Sequence, residues 1–396
     1  MTTIVGGVYV ERCIEPPWDE VFGSAGRAAM ALSDAVPDLR LLAFRPTAIQ
    51  DGLENLEFIT GASIEGPVVS DAIEFDYMHS LADPRITPRP DAIPQKGSIA
   101  AEDDVVLRFG MLEGEAKVTA KRAVYDPQSA FDPQPFHANG SSADELALVV
   151  NRFEGCKLTG KNDPEAIVSA LLADHHADVV VLKMGGRGAL VGWGNERKII
   201  PAFRSEHVWK IGSGDVFSAA FLKFWALDHA PPDEAALLSS KAVSVYAATR
   251  SLPIPSKEQL EATGFVPVVP GRGRIYLAAP FFNLGEIWMV EEARKCLLDM
   301  NVEVFSPLHD VGRGPAHEVA KADLEGLDHC DAVLAILNGG DAGTIFEIGY
   351  AVSRNIPVVA LAQNVRPEDL KMSEGSGCVI ADDFVTAVYQ AVWSLP

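Results

Sequence analysis

Short apolar runs alternate with amphipathic segments along most of this chain, and the alternation predicts an α/β protein. The pattern predicts a strand over residues 4–10 and a helix of small residues over 23–33. Between about 61 and 106, five prolines interrupt the pattern, so we expect loops, a lid or a substrate-facing insert there.

Regular alternation resumes at Glu145 and continues to about residue 250. Asp163 followed by Pro164 predicts a helix start, because Asp caps the first amides and Pro fits the first turn. The other elements predicted here are strands over 146–150 and 178–183, a glycine-rich hairpin over 184–200 and helices over 214–227 and 234–250.

A second block of alternation follows a segment rich in proline and glycine. That segment, 265–273, predicts an interdomain linker between a first domain, 1–264, and a second domain, 274–396. The second domain is predicted to contain strands over 275–279, 302–305, 332–337 and 357–362 and helices over 286–299, 317–327, 344–354 and 384–393. Four strand–helix repeats are enough for a compact parallel sheet of its own.

Composition sets limits on the function. The chain has 396 residues, 48% of them hydrophobic, which is enough to fill the cores of two domains. The formal net charge of −22 argues against DNA or RNA as a partner, although a local anion-binding turn can still hold a small nucleotide. The five cysteines are widely spaced, so neither a disulfide framework nor a zinc site is expected. No leader or membrane-length apolar run is evident, so we expect a cytoplasmic protein without a membrane partner.

Candidate chemistry in the second domain falls beyond the ends of predicted strands, where open α/β sheets bind ligands. Glu347 lies near the start of a predicted helix, just after a Gly343-Thr344 turn. Such a carboxylate can attack C1′ of a nucleoside, and a helix N-terminus would keep it ionised. Cleavage also needs a second acid for the leaving base and aromatic rings for the base or sugar. The residues available for these roles are Tyr276, Phe281, Asp323 and Asp341.

Structural alternatives exist for the same residues. Thr344 and Glu347 have the spacing of a capping box, in which both side chains satisfy amides at a helix N-terminus. Tyr276 and Phe281 have the character of ordinary core aromatics. The residues alone leave both alternatives open.

The segment 274–396 resembles the nucleoside 2-deoxyribosyltransferase family. The resemblance is carried by Tyr-Leu-Ala-Ala-Pro-Phe-Phe at 276–282, the helical Asp323, Cys-Asp-Ala-Val-Leu-Ala at 330–335 and the specific motif Asp-Ala-Gly-Thr-Ile-Phe-Glu-Ile-Gly-Tyr-Ala at 341–351. It implies a small Rossmann- or flavodoxin-like parallel-sheet domain that needs no cofactor. It also implies a homo-oligomer, because family members often complete each site with residues from a neighbouring subunit.

The resemblance also implies a role for each site residue. Glu347 would form a glycosyl-enzyme ester, Asp341 would bind the base and assist its protonation, and Asp323 would lie near the sugar and Glu347. Tyr276 would position the nucleophile, and Phe281, Gly343 and Thr344 would contact the substrate. Transfer to a second base and hydrolysis of a nucleoside monophosphate remain open. Residues 280–285 lack the arginine of related hydrolases, which favours an unphosphorylated nucleoside, whereas Arg313 between two glycines could still contact an anion.

A second constellation lies in the first domain, where Lys210-Ile-Gly-Ser-Gly-Asp-Val-Phe-Ser218 opens an apolar helix. Small residues at a helix start leave backbone amides free to face a phosphoryl group, here Gly212, Ser213 and Gly214. Asp215 could then take the proton from an attacking hydroxyl. The structural alternative is a glycine turn with Asp215 as a helix cap.

Residues 1–264 resemble the ribokinase-like (PfkB) family of sugar and nucleoside kinases. The matching segments are Ile4-Val-Gly-Gly-Val-Tyr-Val10, Gly23-Ser-Ala-Gly-Arg-Ala-Ala29, Val150-Asn-Arg-Phe-Glu154, Leu182-Lys-Met-Gly-Gly-Arg-Gly-Ala189 and Gly212-Ser-Gly-Asp215. The resemblance implies a three-layer α/β domain that uses ATP and Mg²⁺. It implies that Gly212 to Gly214 form the anion hole with Asp215 as base. Nucleotide and Mg²⁺ contacts are implied for Gly185 and, indirectly for the metal, for Asn151 and Glu154.

The acceptor-binding half departs from the family pattern. Glu11 stands where many members have a sugar-binding Asp, Arg27 and its neighbours replace an asparagine, and Ser213 replaces Ala. We therefore expect a bifunctional enzyme of nucleoside or nucleotide metabolism that acts on small molecules. The alternatives are a decayed or nucleotide-sensing kinase domain that regulates or scaffolds the second domain, and two non-catalytic binding modules.

Overall fold

The computed structural model of the protein describes residues 1–129, 131–268 and 271–396. The chain forms two compact units, one of Met1–Ser205 with Trp209–Pro267 and one of Glu206–Val208 with Val268–Pro396. The expected linker, 265–273, includes Val269 and Pro270, which lie outside the described residues. Among the described helices, none has both the length and the apolar character needed to cross a bilayer.

The first part of the chain contains the following elements. Its strands are β1 (Thr2–Val5), β2 (Val10–Glu15), β3 (Trp18–Val21), β4 (Leu39–Leu42), β5 (Arg45–Pro46), β6 (Ser63–Glu65), β7 (Val68–Val69), β8 (Glu74–His79), β9 (Arg85–Thr87), β10 (Ser98–Phe109), β11 (Glu115–Asp126), β12 (Ser142–Asn151), β13 (Val179–Lys183), β14 (Ala189–Trp193), β15 (Glu196–Ile200), β16 (Ala202–Phe203) and β17 (Pro267–Val268). Its helices are α1 (Gly23–Leu32), α2 (Gln50–Thr60), α3 (Arg152–Thr159), α4 (Pro164–Asp174), α5 (Ser213–Phe221), α6 (Pro232–Thr249) and α7 (Lys257–Ala262).

A nine-stranded sheet of order β15-β14-β13-β12-β11-β10-β1-β4-β6 forms the centre of the first unit. Its strands are parallel from β6 across to β13, whereas β14 and β15 are antiparallel. Alternate residues enter opposite cores: Val181 of β13 joins the core that contains α1, α5 and α6, and Leu182 joins the core that contains α4. The unit is therefore a three-layer α/β structure.

A smaller sheet of order β3-β2-β8-β9 belongs to the same unit, and it corrects the predicted strand over 4–10. That segment is split: β1 ends at Val5, and β2 begins at Val10 in the smaller sheet. Gly6 lies at the break, where a Cβ would approach the Cβ of Phe109 to 2.8 Å. The segment 61–106, expected as loops or an insert, contains β6 to β9 and most of β10.

The second unit contains five strands and five α-helices among its described residues. They are β18 (Arg274–Ala278), α8 (Leu284–Asp299), β19 (Glu303–Phe305), α9 (Ala316–Asp328), β20 (Ala332–Ile336), α10 (Ala342–Ser353), β21 (Val358–Leu361), α11 (Pro367–Gly375), β22 (Val379–Ala381) and α12 (Phe384–Trp393). The sheet is parallel throughout, with order β19-β18-β20-β21-β22. This order is flavodoxin-like, and its direction reverses beside β18, where such sheets bind ligands beyond the carboxyl ends of the strands.

Candidate active sites

A tyrosine–carboxylate pair lies at the reversal point of the second unit. Tyr276 is part of β18 and fully buried, and its hydroxyl donates a hydrogen bond of 2.6 Å to Oε1 of Glu347. The Tyr276 ring stacks on Phe305 with ring centroids 5.4 Å apart, which fixes its direction. Glu347 is carried by α10, the helix that follows the neighbouring strand β20. The hydrogen bond therefore joins elements on both sides of the predicted ligand crevice.

Burial controls the charge of Glu347. It raises the pKa of the carboxyl to about 7, the hydrogen bond from Tyr276 acts in the opposite direction, and the Asp323 and Asp341 carboxylates add to the rise. Desolvation therefore opposes the ionised form of Glu347, which the position near the helix N-terminus was expected to favour. The helix begins at Ala342, so Glu347 lies in its second turn, where desolvation outweighs the helix dipole.

Asp341 caps the helix that carries Glu347. Its Oδ2 accepts hydrogen bonds from the backbone amide of Thr344 at 2.8 Å and from the Thr344 hydroxyl at 3.1 Å. The capping-box alternative for Thr344 and Glu347 is wrong, because Thr344 lies inside the helix and Glu347 bonds Tyr276 instead. Gly343 is exposed, and a Cβ there would approach Oδ2 of Asp341 to 3.0 Å. Glycine at position 343 therefore avoids a close contact with the capping carboxylate of Asp341.

Asp323, on α9, has an unsatisfied acceptor beside this pair. Within the described part of the chain, its buried Oδ1 has no hydrogen-bond partner. Burial raises the pKa of Asp323, and the charge of Asp323 raises the pKa of both Glu347 and Tyr276. A buried acceptor without a partner is unusual in a folded protein and marks a place where a ligand donor could bind.

Aromatic and aliphatic side chains lie on the segment that follows β18 and on the helices α8 and α10. Phe281 follows β18, is half-buried and stacks on Phe282 with centroids 5.8 Å apart, so it is not an ordinary core residue. Tyr276 does belong to the core, but its hydroxyl donates a hydrogen bond to Glu347. The large exposed apolar side chains just before α8, on α8 and on α10 are Phe282, Leu284, Trp288, Ile345 and Phe346.

In the first unit, three neighbouring parallel strands end on polar residues at one edge of the sheet. These residues are Asp126 of β11, Asn151 of β12 and Lys183 of β13. The Lys183 ammonium lies 2.6 Å from Oδ2 of Asp126, which also accepts a hydrogen bond of 2.7 Å from the Ser218 hydroxyl. Burial disfavours the charged form of Lys183, but Asp126 and the other acidic groups around it outweigh this effect and raise its pKa.

The predicted glycine turn lies beside Lys183. Gly212 is the N-cap residue of α5 with φ +74°, a left-handed conformation that favours glycine. A Cβ on Gly214 would lie 3.4 Å from the Lys183 ammonium, and the Lys210 ammonium donates to the Ser213 hydroxyl at 2.8 Å. Burial, together with the charge of Lys183, lowers the pKa of Lys210 to about 8. A helix N-terminus flanked by two lysines is suited to an anion.

Asn151 and Glu154 form a capping box at the start of α3. The Asn151 side chain accepts from the Glu154 amide at 2.9 Å, and the Glu154 carboxylate accepts from the Asn151 amide at 2.8 Å and from the Ser129 amide at 3.1 Å. Burial raises the pKa of Glu154 to about 7, and Asp126 adds to the rise. Gly185 lies in the turn after β13, exposed and with φ +60°.

Asp215 is buried and both of its oxygens have partners. Oδ2 accepts from Nη1 of Arg27 at 2.7 Å, and Oδ1 accepts from the Gln128 side-chain amide. Asp215 is therefore not a helix cap, and that alternative is wrong, since Gly212 is the N-cap residue. Arg27 in turn donates to both carboxylate oxygens of Glu11.

Sequence reasoning missed several residues of this site. Asp126 and Lys183 could have been found, because Lys183 ends an apolar strand and Asp126 directly follows the apolar residues 123–125. Nothing local marks Gln128, which follows β11 and reaches Asp215 across 87 positions of sequence. The pairing of Arg27 with Glu11 and Asp215 was likewise not predicted.

The first unit is thus a three-layer α/β structure whose glycine turn is suited to an anion. The second unit is flavodoxin-like and carries a partly buried carboxylate, Glu347. The family model for pfkB family carbohydrate kinase matches residues 123–259. The family model for nucleoside 2-deoxyribosyltransferase matches residues 275–383. The chain therefore carries these two family regions in this order, and both predicted resemblances are confirmed.

Solved structures share the fold of the first unit. A putative ribokinase from Agrobacterium tumefaciens is 14% identical with a TM-score of 0.50, and the match covers 66% of this chain and 95% of that chain. A fructokinase from Vibrio cholerae O395 with fructose, ADP and calcium ion is 14% identical with a TM-score of 0.48, covering 66% and 98%. A ribokinase from Thermotoga maritima is 18% identical with a TM-score of 0.45, covering 66% and 98%. The predicted ribokinase-like α/β fold is confirmed. A search of curated proteins returned no match.

Proposed function

We propose that the second unit cleaves or transfers the N-glycosidic bond of a nucleoside, with Glu347 as its nucleophile. The observation that carries the proposal is the hydrogen bond of 2.6 Å between the buried Tyr276 hydroxyl and Glu347, at the point where the strand order reverses. A carboxylate oriented by one hydrogen bond and backed by two further carboxylates is the equipment that substitution at an anomeric carbon needs.

The geometry suggests which atom attacks. Tyr276 holds Oε1 of Glu347, which leaves Oε2 to attack C1′. The bond from C1′ to oxygen forms as the bond from C1′ to the base nitrogen breaks, and that electron pair stays on the base. Asp341 assists protonation of the departing base. Water or a second base then attacks C1′ and releases the Glu347 carboxylate.

The neighbouring residues hold the substrate in this proposal. Oδ1 of Asp323 lacks a partner among the described residues, so a sugar hydroxyl can donate to it. The half-exposed Phe281 ring provides a face for the base or sugar. Gly343 and Thr344 keep Asp341 in position through the helix cap and contact the substrate.

Chromatography of nucleosides and nucleoside monophosphates, with and without a second free base, tests this proposal and separates its two outcomes. Exchange of bases indicates a transferase, and loss of base alone indicates a hydrolase. Glu347→Ala should abolish both reactions, whereas Glu374→Ala, which removes an exposed acid on α11, should change neither. Base release that survives Glu347→Ala would show that the site is assigned wrongly.

For the first unit we propose ATP-dependent phosphorylation of a sugar or nucleoside. The turn from Gly212 to Gly214 fits a phosphoryl group, because it begins a helix without a side-chain cap and has Lys183 and Lys210 beside it. Bound ATP would supply the phosphoryl group, and Mg²⁺ would neutralise its charge. Asp215 would take the proton of the acceptor hydroxyl.

Asn151, Glu154 and Gly185 have supporting roles in this kinase proposal. The side chains of Asn151 and Glu154 already accept backbone amides, so their proposed effect on Mg²⁺ is indirect, through groups they hold in place. Gly185 is exposed at the same edge of the sheet and would contact the nucleotide. The two activities together would serve nucleoside or nucleotide salvage or turnover in the cytoplasm, with small molecules as the only substrates.

A sugar and nucleoside panel with Mg-ATP tests the kinase proposal, with ADP formation and phosphorylated product as readouts. Asp215→Asn should lower product formation at least about 100-fold if Asp215 is the base. The contact between Arg27 and Asp215 favours a second candidate, in which the first unit binds a nucleotide without transferring phosphate and the second unit hydrolyses nucleoside 5′-monophosphates. Nucleotide binding without ADP formation would support that candidate.

A further inference from the structure

Arg27, on α1, is fully buried in the first unit, between the groups proposed to act in phosphoryl transfer. Its Nη1 lies 2.7 Å from Oδ2 of Asp215 and 3.2 Å from Oε1 of Glu11. Its Nη2 donates to the other oxygen of Glu11. The guanidinium thus bridges two carboxylates that lie 204 residues apart in the sequence, since 215 minus 11 is 204.

The same guanidinium lies against the glycine turn. A Cβ on Gly212 would approach Nε of Arg27 to 2.1 Å and Cζ to 2.2 Å, so the group fills the space in front of this glycine. The Phe22 ring covers it, with Cζ 5.4 Å from the ring centroid. Arg27 therefore occupies the space between the proposed base and the proposed phosphate turn.

An acceptor hydroxyl needs that same space. To pass its proton to Asp215, it must come within roughly 2.6–3.2 Å of a carboxylate oxygen. Nη1 of Arg27 already lies at that distance from Oδ2, and the Gln128 side-chain amide already bonds Oδ1. The hydroxyl would also have to reach a phosphoryl group held at the Gly212 turn, where the guanidinium is packed.

We propose that Arg27 closes the acceptor site of the first unit, so that a sugar or nucleoside hydroxyl reaches Asp215 only after the guanidinium has moved away. This inference rests on the proposed role of Asp215 and the glycine turn in phosphoryl transfer. Under this proposal, the position of Arg27 controls whether a sugar or nucleoside acceptor can bind. The side of the site that would bind ATP stays open in this proposal, because Lys183, Lys210 and the exposed Gly185 lie outside these Arg27 contacts.

The charges explain why the closed arrangement is stable. Glu11 and Asp215 are both buried, and one buried arginine donates three hydrogen bonds to the two carboxyl groups. Moving the guanidinium away leaves two carboxylates close together in a medium of low polarity, which is unfavourable unless new donors arrive. Acceptor hydroxyls are such donors, so opening and acceptor binding would occur together.

The test compares the wild type with Arg27→Met, which keeps most of the aliphatic length and removes the guanidinium. Arg12→Met is the matched control, since Arg12 is a partly exposed arginine on β2 whose ion pairs are with Asp19, Glu74 and Asp76. Calorimetry measures binding of a panel of neutral pentoses, hexoses and nucleosides to the full chain. A Mg-ATP assay measures phosphorylation of the same panel.

We expect at least one panel member to bind Arg27→Met ten times more tightly than it binds the wild type or Arg12→Met. Equal affinity for the wild type and Arg27→Met would overturn the proposal, and so would an absence of binding to both. Tighter binding to Arg27→Met without phosphorylation would support closure by Arg27 while rejecting the kinase function. Tighter binding with phosphorylation would support both.

Loss of folding is the foreseeable complication of Arg27→Met, because it leaves two buried carboxylates unpaired. The double variant Glu11→Gln with Arg27→Met removes one of these charges, and Arg27→Lys keeps a cation on a shorter head group. Circular dichroism identifies which variants fold. If Arg27→Met or the double variant folds but binds no acceptor more tightly than the wild type does, that result counts against the proposal.

Discussion

At the scale of single residues, two opposing effects determine the ionisation of Glu347 in the second unit. Burial favours the neutral form of Glu347, whereas the Tyr276 hydroxyl favours the charged form that can attack. The result is a pKa of about 7, so a substantial fraction is ionised at neutral pH. The sequence motif identified the residue, but the balance depends on how deeply the residue lies and on what contacts it.

Removing the tyrosine hydroxyl should weaken the nucleophile. Tyr276→Phe deletes a hydrogen bond to a charged group, worth about 1.5–3 kcal/mol, so kcat/KM for base release should fall about 10- to 100-fold at pH 7. Tyr389→Phe in α12 makes the same chemical change away from the carboxylates and should leave kcat/KM unchanged. Equal rates for Tyr276→Phe and the wild type would contradict the positioning role.

The pH dependence of base release follows from the raised pKa of Glu347. The ionised form attacks, so kcat/KM should rise about tenfold per pH unit below pH 7 and level off above it. A stopped assay across pH 5–9 with one nucleoside measures this profile. A profile whose acidic limb bends near pH 4.5, the ordinary value for Glu, would show that burial does not govern the reacting carboxylate.

The same shift affects stability, with a definite sign. The folded-state pKa of Glu347 lies above its ordinary value of 4.5, so the folded form holds the proton more tightly. This contribution is fully present below about pH 4.5 and is lost as the pH rises to about 7. Glu347→Gln should therefore raise Tm by roughly 10 °C at pH 8 and by only about 2–3 °C at pH 5. Thermal unfolding at both pH values checks the sign.

At the scale of elements, periodicity predicted most helices and strands of the second unit to within one or two residues. It missed α11 and β22, because α11 has no buried residue and β22 has only one. It also missed β10 in the first unit. The first half of this strand buries only Ile99 and the small Ala101, and its acidic residues at 102–104 resemble a loop. Elements without a clear apolar face cannot be found from period alone.

The cap of α10 allows structural and chemical roles of one residue to be separated. Asp341→Asn should retain the cap, because the amide oxygen can still accept from Thr344, and so leave Tm within about 1 °C. It should lower base release at least about tenfold by removing the acid. Asp341→Ala should lose the cap as well, at a cost of about 1 kcal/mol in the free energy of unfolding.

Asp383 supplies the matched control for this pair of variants, because it caps α12 through the Thr386 amide at 2.8 Å. Asp383→Asn and Asp383→Ala should reproduce the two stability effects with unchanged base release. If Asp341→Asn retains full activity, Asp341 only caps α10 and takes no part in protonating the base.

At the scale of the whole molecule, exposed apolar side chains around the second site suggest a further copy of the chain. Leu284, the first residue of α8, is 83% exposed, and Phe346, next to Glu347 on α10, is 61% exposed. Large exposed apolar side chains, where they form a patch, commonly mark an interface. We therefore propose that the chain forms a homo-oligomer through the helices beside Glu347.

Light scattering of the purified chain tests the oligomer. Leu284→Glu should shift the mass towards the monomer and lower base release, because a charge at an apolar interface is left without a partner. Met372→Glu is the control, since Met372 on α11 is 82% exposed and its substitution introduces the same charge. A wild-type chain that is monomeric at micromolar concentration would contradict the proposal.

The sequence by itself determined the α/β class, the order of most elements, the two family resemblances and the residues that could carry chemistry. These features depend on periodicity, turn residues and short motifs, which act over a few positions. The tertiary structure alone decided which partners those residues have. Tyr276 meets Glu347 across 71 positions, and Arg27 meets Asp215 across 188. Such contacts depend on strand order and helix packing, so only the folded chain shows that Glu347 titrates near neutral pH and that an arginine fills the space before Asp215.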